Sequence, residues 1–151
     1  MLTWLDQSAL ALWVRESQWG YPIVLSAHVI GMAAVVGTAL MFGLWTLGYG
    51  RRAPPQWLDR FFTVAWFGFA LNFLSGVALF VADAGKFLTS TAFQIKIAMI
   101  VAGGISIWIA SRSVAASSGS DVPGKTKIVA ALSMVFWLSA IVAGRLIAYT
   151  T

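Results

Sequence analysis

The chain has no cysteine and a single histidine, His28, in 151 residues. The first absence excludes disulfides, thiolate metal sites, iron–sulfur clusters and c-type haem attachment, and leaves the redox compartment open. The second excludes a zinc site built by this chain alone, which needs three or four ligands. Charge is scarce as well, at 10% of residues against roughly 25% in an ordinary soluble domain. Only five residues are acidic: Asp6, Glu16, Asp59, Asp83 and Asp121. None lies in an apolar stretch, so nothing orients His28 as the base of a hydrolytic triad. The net charge of +5 raises nucleic acid as a partner. The cations are scattered, however, with no Lys/Arg stripe, and nucleic-acid binding is excluded on that ground. No basic n-region leads a short apolar run near the start, so no cleavable signal peptide is expected.

What fills the chain is hydrophobic sequence, at 60% of residues. A water-soluble protein this small cannot hide so much apolar surface in one core. Four stretches, Pro22–Leu47, Phe61–Ala82, Ala92–Ala110 and Ile128–Ala148, are each long enough to cross a hydrocarbon layer of ~30 Å. The expected fold is therefore an all-α membrane protein, one domain of residues 1–151 forming a bundle of four transmembrane helices. Residues 2–18 place Leu2, Leu5, Ala9 and Leu12 at helical spacing opposite Asp6 and Gln7, with Trp4, Trp13 and Trp19 nearby. That pattern predicts an N-terminal amphipathic helix lying at the interface.

The connections read from their turn and charge chemistry. Gly48–Arg60 contains tandem prolines that cannot continue a helix. Ser117–Gly124 is a flexible polar linker. Ala82–Lys86 is a tight connection, and Thr89-Ser90-Thr91 can cap the third helix. Six of the ten Lys/Arg, namely Arg51, Arg52, Arg60, Arg112, Lys125 and Lys127, fall in the first and third connections. The positive-inside rule assigns those loops to the cytoplasm and both termini to the other side, the periplasm in a bacterial inner membrane.

Three ionisable side chains lie inside the spans: His28, Lys96 and Arg145. Embedded charge costs several kcal/mol unless paired or hydrated, so such residues mark functional sites. All three fall in the periplasmic third of their spans, where His28 is roughly 9 Å past Pro22. Bland roles compete: Lys96 and Arg145 can snorkel to headgroups or pair with Asp83 or Glu16, and His28 can bond a carbonyl on a neighbouring helix. Small residues recur at Ala27/Gly31, Gly68/Asn72/Gly76, Gly103/Gly104 and Gly144. Such stripes mean close helix packing first, and room for a flat cofactor beside His28 second. Asn72, near mid-membrane, is expected to bond across helices.

The strings Ser26–Met32, Gly68–Gly76, Ala92–Ile97 and Trp137–Tyr149 resemble those of a family of small bacterial four-helix inner-membrane proteins, distantly similar to the copper-resistance protein D group. Their most specific pieces contain His28, Lys96 and Arg145. The resemblance runs along all four spans and implies fold and location. One departure is that Met41–Gly48 lacks the acidic and basic residues with which the family pattern ends its first span.

Chemistry on one histidine and two cations leaves three readings. In the first, b-type haem takes His28 as an axial metal ligand, with Lys96 and Arg145 on its propionates, Gly31 and Asn72 beside it, and Trp66, Phe69 and Phe73 as walls. The other axial position would take Met32, Met99 or a ligand from a second subunit, or remain open. In the second, His28, Met32 and Met99 handle copper or another small cation, soft thioethers and imidazole suiting Cu(I). In the third, the chain is a non-catalytic accessory subunit whose cationic pocket holds a lipid headgroup or a partner's carboxylate. No enzyme acting alone is expected. Self-association, or a partner membrane or periplasmic protein, suits helices that bury little by themselves.

Overall fold

The computed structural model describes residues 7–49, 56–117 and 122–150, with the side chains of 56–59, 148 and 150 left aside. Leu2, Trp4, Leu5, Asp6, Arg51, Arg52 and residues 118–121 of the Ser117–Gly124 linker lie outside the described residues. Among the described residues six helices follow in order: α1 Ala9–Glu16, α2 Gly20–Leu47, α3 Gln56–Ala82, α4 Ala84–Thr89, α5 Thr91–Ala116 and α6 Gly124–Thr150. Among the described residues there is no strand. The helices α2, α3, α5 and α6 are each long and apolar enough to span a membrane. The protein is a multi-pass membrane protein of all-α fold.

Helix ends follow local chemistry. Ser8 caps α1, its hydroxyl accepting from Ala11 N at 3.2 Å, and Ser90 caps α5 by accepting from Phe93 N at 3.3 Å. The second cap is the one expected from Thr89-Ser90-Thr91. Gly48 ends α2 at a φ of 113°, a left-handed conformation that glycine adopts without a Cβ penalty. The amides of Gly48 and Tyr49 then bond back to Trp45 and Leu44, closing the last turn as a glycine-terminated helix does. The connection after α3 is tight, as expected, and holds one further short helix, α4.

Each span outruns its apolar stretch, because helix propensity does not stop where the hydrocarbon does. The helix α5 continues through Arg112, whose guanidinium lies 5.0 Å over the Trp108 ring. Beyond it, Ser113 Oγ and Thr126 Oγ1 bond at 2.6 Å and pin α5 to α6. This defines a loop end, opposite the terminal end where α2 begins and α6 finishes.

Two antiparallel pairs, α2–α3 and α5–α6, are joined mainly by α2 against α6. The loop end is packed by Phe42, Trp45, Ala110, Val114, Val122 and Ala130. At the terminal end, α1 lies across α2 and α3, burying Ala11 and Val14 completely with Val24 and Ala82. Its buried face differs from the expected stripe: Ala9 and Leu12 are exposed, as are Leu10 and Trp13. A helix with apolar side chains on both faces suits an interfacial position between bundle and lipid. The remaining seam is different in kind, for the α3 and α5 backbones hardly approach each other.

Candidate functional site

His28 sits eight residues into α2, which began at Gly20, about 12 Å along the helix axis. Its ring is held by α3. Nδ1 lies 3.1 Å from the Asn72 carbonyl oxygen and 3.2 Å from Ser75 Oγ. A carbonyl only accepts, so Nδ1 carries the proton and donates. Ser75 Oγ itself donates to the Leu71 and Asn72 carbonyls, at 2.6 and 3.1 Å. The Asn72 amide donates to the His28 carbonyl at 2.8 Å. Helix α3 thus fixes both the backbone and the ring of His28.

The proton on Nδ1 leaves the lone pair on Nε2, and this nitrogen faces Lys96. Lys96 Nζ, from α5, lies 3.4 Å from His28 Nε2 and donates to it. The lysine stem crosses α6 at Gly144, where a Cβ would stand 3.4 Å from both Lys96 Cδ and Cε. The imidazole is accommodated in the same way by Gly76 of α3, whose Cβ would stand 3.2 Å from His28 Cε1. The room expected for a cofactor beside His28 at these two glycines is taken by the site's own side chains. Gly31 has another task. A Cβ there would lie 2.6 Å from Asn72 N and Gly68 O, so bare backbone is what lets α2 and α3 approach closely enough for the Asn72 bonds. That is the packing role small residues have in membranes.

Two of the three embedded ionisable groups therefore meet, and the third does not join them. Arg145 is exposed, with its guanidinium 5.8 Å from the centre of the Tyr149 ring. Its neighbour Gly144 faces Lys96, and one residue along a helix is a turn of about 100°. Met32 lies one turn deeper than His28, lining a cavity of about 20 Å³ with Asn72, Lys96 and Trp137. Among the described residues, no group of three or more His, Cys, Asp or Glu could hold a metal ion. Lys96 likewise has no acidic partner among them.

The pair opens onto the loose seam. His28, Asn72 and Lys96 line a cavity of about 310 Å³ whose walls include Phe73 and Phe80 from α3 and Phe93 from α5. Rings are paired along it: Phe69 and Phe73 at 6.2 Å, Phe80 and Phe93 at 5.8 Å. Toward the loop end a second cavity of about 490 Å³ continues between the same helices, lined by Trp66, Gly104, Ile107 and Trp108. Phe69 and Ile100 border both. Phe73 and Trp66 are 59% and 70% exposed, so the cleft opens sideways, toward lipid in a membrane. Trp137, missed by the sequence reading, borders the second cavity and is 8% exposed, with no partner for its indole N–H among the described residues.

The donor set bears on each expected ligand. For b-type haem the imidazole has the right support, because metal-bound histidines donate their other nitrogen to a carbonyl or carboxylate. Its free nitrogen is nonetheless engaged by Lys96, and neither Met32 nor Met99 lines the cavity in front of it. For copper, a thioether and an imidazole would have to converge, and Met32 faces the smaller, deeper cavity instead. No family model, curated protein or solved structure matches this chain.

Proposed function

We propose that this membrane protein binds a flat, lipid-soluble ligand at the His28–Lys96 pair, taking it up from the bilayer through the cleft between α3 and α5. One observation carries this reading. A lysine amine without an acidic partner among the described residues, and a histidine fixed by α3, line an aromatic cleft open to the side. The cavity falls within the ~300–1,000 Å³ usual for ligand sites, where apolar walls carry a few placed polar groups. Nζ of Lys96 spends one N–H on His28 and keeps others for an acceptor on the ligand. Arg112, Lys125 and Lys127 at the loop end support a cytoplasmic loop end in a bacterial inner membrane, with site and termini toward the periplasm.

A second reading, b-type haem binding with electron transfer, is favoured by the Nδ1 bond to the Asn72 carbonyl. His28 would be the axial ligand, and the chemistry supplied would be one-electron transfer. Lys96 would first have to leave Nε2, and its ammonium then suits a propionate.

Protein in lipid nanodiscs is titrated with 1,4-naphthoquinone, a flat carbonyl probe, while absorption and metal content are measured. Saturable binding, weakened at least tenfold in both Lys96→Met and His28→Ala, supports the proposal. Binding indifferent to both substitutions overturns it. A porphyrin band lost in His28→Ala selects haem instead. Stoichiometric copper without that band selects copper handling, and co-purification of a larger complex with none of these selects the accessory role.

A further inference from the structure

The cleft does not stop where the polar groups stop. We infer that the ligand is an isoprenoid quinone, its ring at His28–Lys96 and its unsaturated tail running toward the loop end between α3 and α5; this rests on the binding reading above. Three features of the cleft converge on that class.

The first is length. Two cavities, of about 310 and 490 Å³, lie end to end and share Phe69 and Ile100. A compact ring would use only the first. The second cavity is walled mainly by apolar side chains, Trp66, Ile107 and Trp108 among them, which suits a hydrocarbon tail.

The second feature is the head. Phe73, Phe80 and Phe93 border the polar end, and rings pack against flat unsaturated groups in offset or edge arrangements. Lys96, whose Nζ–H groups donate, lines this space beside His28 and Asn72, and it calls for an acceptor on the head. A quinone carbonyl supplies one without charge. A fatty-acid carboxylate would find its partner in the Lys96 ammonium, as a buried charge requires, so it is the competing head that the palmitate arm of the test decides.

The third is a glycine with nothing to pack. In contrast to Gly31, a Cβ on Gly104 would meet no atom within 4 Å, and Gly104 borders the second cavity. The position is open space on the inferred tail path, so a large side chain there fills the channel without disturbing a helix contact.

The test compares a long-tailed menaquinone with its tailless ring, 2-methyl-1,4-naphthoquinone, in nanodiscs. Wild-type protein is expected to bind the long-tailed form at least tenfold more tightly, after correction for partition into empty discs. Gly104→Phe should abolish that advantage and leave ring binding unchanged, whereas Lys96→Met should weaken both. Equal binding of the two forms, or a tail advantage that survives Gly104→Phe, overturns the inference while the head site stands. Ring binding untouched by Lys96→Met brings down the underlying reading as well. Palmitate displacing the menaquinone at equal concentration would also contradict the quinone assignment. An unchanged elution profile for Gly104→Phe in detergent confirms that the variant is folded.

Discussion

The seam between α2 and α3 and the seam between α3 and α5 are built from similar residues and behave oppositely. In the first, Gly31 and Gly68 bring two backbones together, and the Asn72 amide and the His28 ring bridge them. In the second, Phe69, Phe73 and Trp66 border the gap, and Gly104 faces space. A glycine in a membrane helix therefore has no single meaning. What decides is whether the facing helix offers small residues or rings. Where it offers small residues the seam closes and its polar groups find partners. Where it offers rings a cleft remains, which His28 and Asn72 reach from the closed seam and Lys96 reaches from α5.

The largest expected effect comes from breaking the closed seam. Gly31→Leu must displace the α3 backbone, and overpacking of a tight contact costs about 1–3 kcal/mol or more. Loss of the folded, monodisperse species in detergent is expected, as judged by thermal aggregation. Gly104→Leu in the open seam should leave the same curve within about 0.5 kcal/mol of wild type, the range for substitutions that meet no packing. Equal damage from the two would erase the distinction between seams.

Next in size is Asn72→Leu, which removes a bond to the His28 carbonyl and leaves that carbonyl with one partner fewer. Hydrogen bonds between membrane helices are worth about 0.6–2 kcal/mol, and an unfolding shift of that order is expected. Ring orientation should survive in part, because the Asn72 backbone carbonyl stays in place. The smallest effect is expected at Trp137→Phe. Its indole N–H is buried without a partner among the described residues, and removing such a donor relieves a desolvation penalty of about 1–3 kcal/mol, less whatever packing the smaller ring gives up. Stability should therefore hold or rise slightly; a clear loss would mean that the N–H is satisfied.

Composition and spacing made the four spans, the Ser90 cap and the levels of His28 and Lys96 legible, since each depends on local sequence. Depth along a helix, however, is only one coordinate. Arg145 shares the level of Lys96 but not its direction, because the turn from Gly144 to Arg145 carries its side chain out of the site. The open α3–α5 seam was not legible either. It follows from which helices pair, and hydrophobicity alone does not distinguish a ring facing lipid from a ring facing a cleft. Trp137 was hidden for a related reason: within an apolar string nothing marks an indole whose N–H lacks a partner.

His28 is the only histidine, so nitrogen-15 labelling of histidine gives one imidazole to observe by solid-state NMR in bilayers. The expected spectrum has the proton on Nδ1 and an unprotonated Nε2 whose resonance moves both in Lys96→Met and on adding menaquinone. A proton on Nε2, or an Nε2 resonance indifferent to both changes, would contradict a ligand site built on the His28–Lys96 pair.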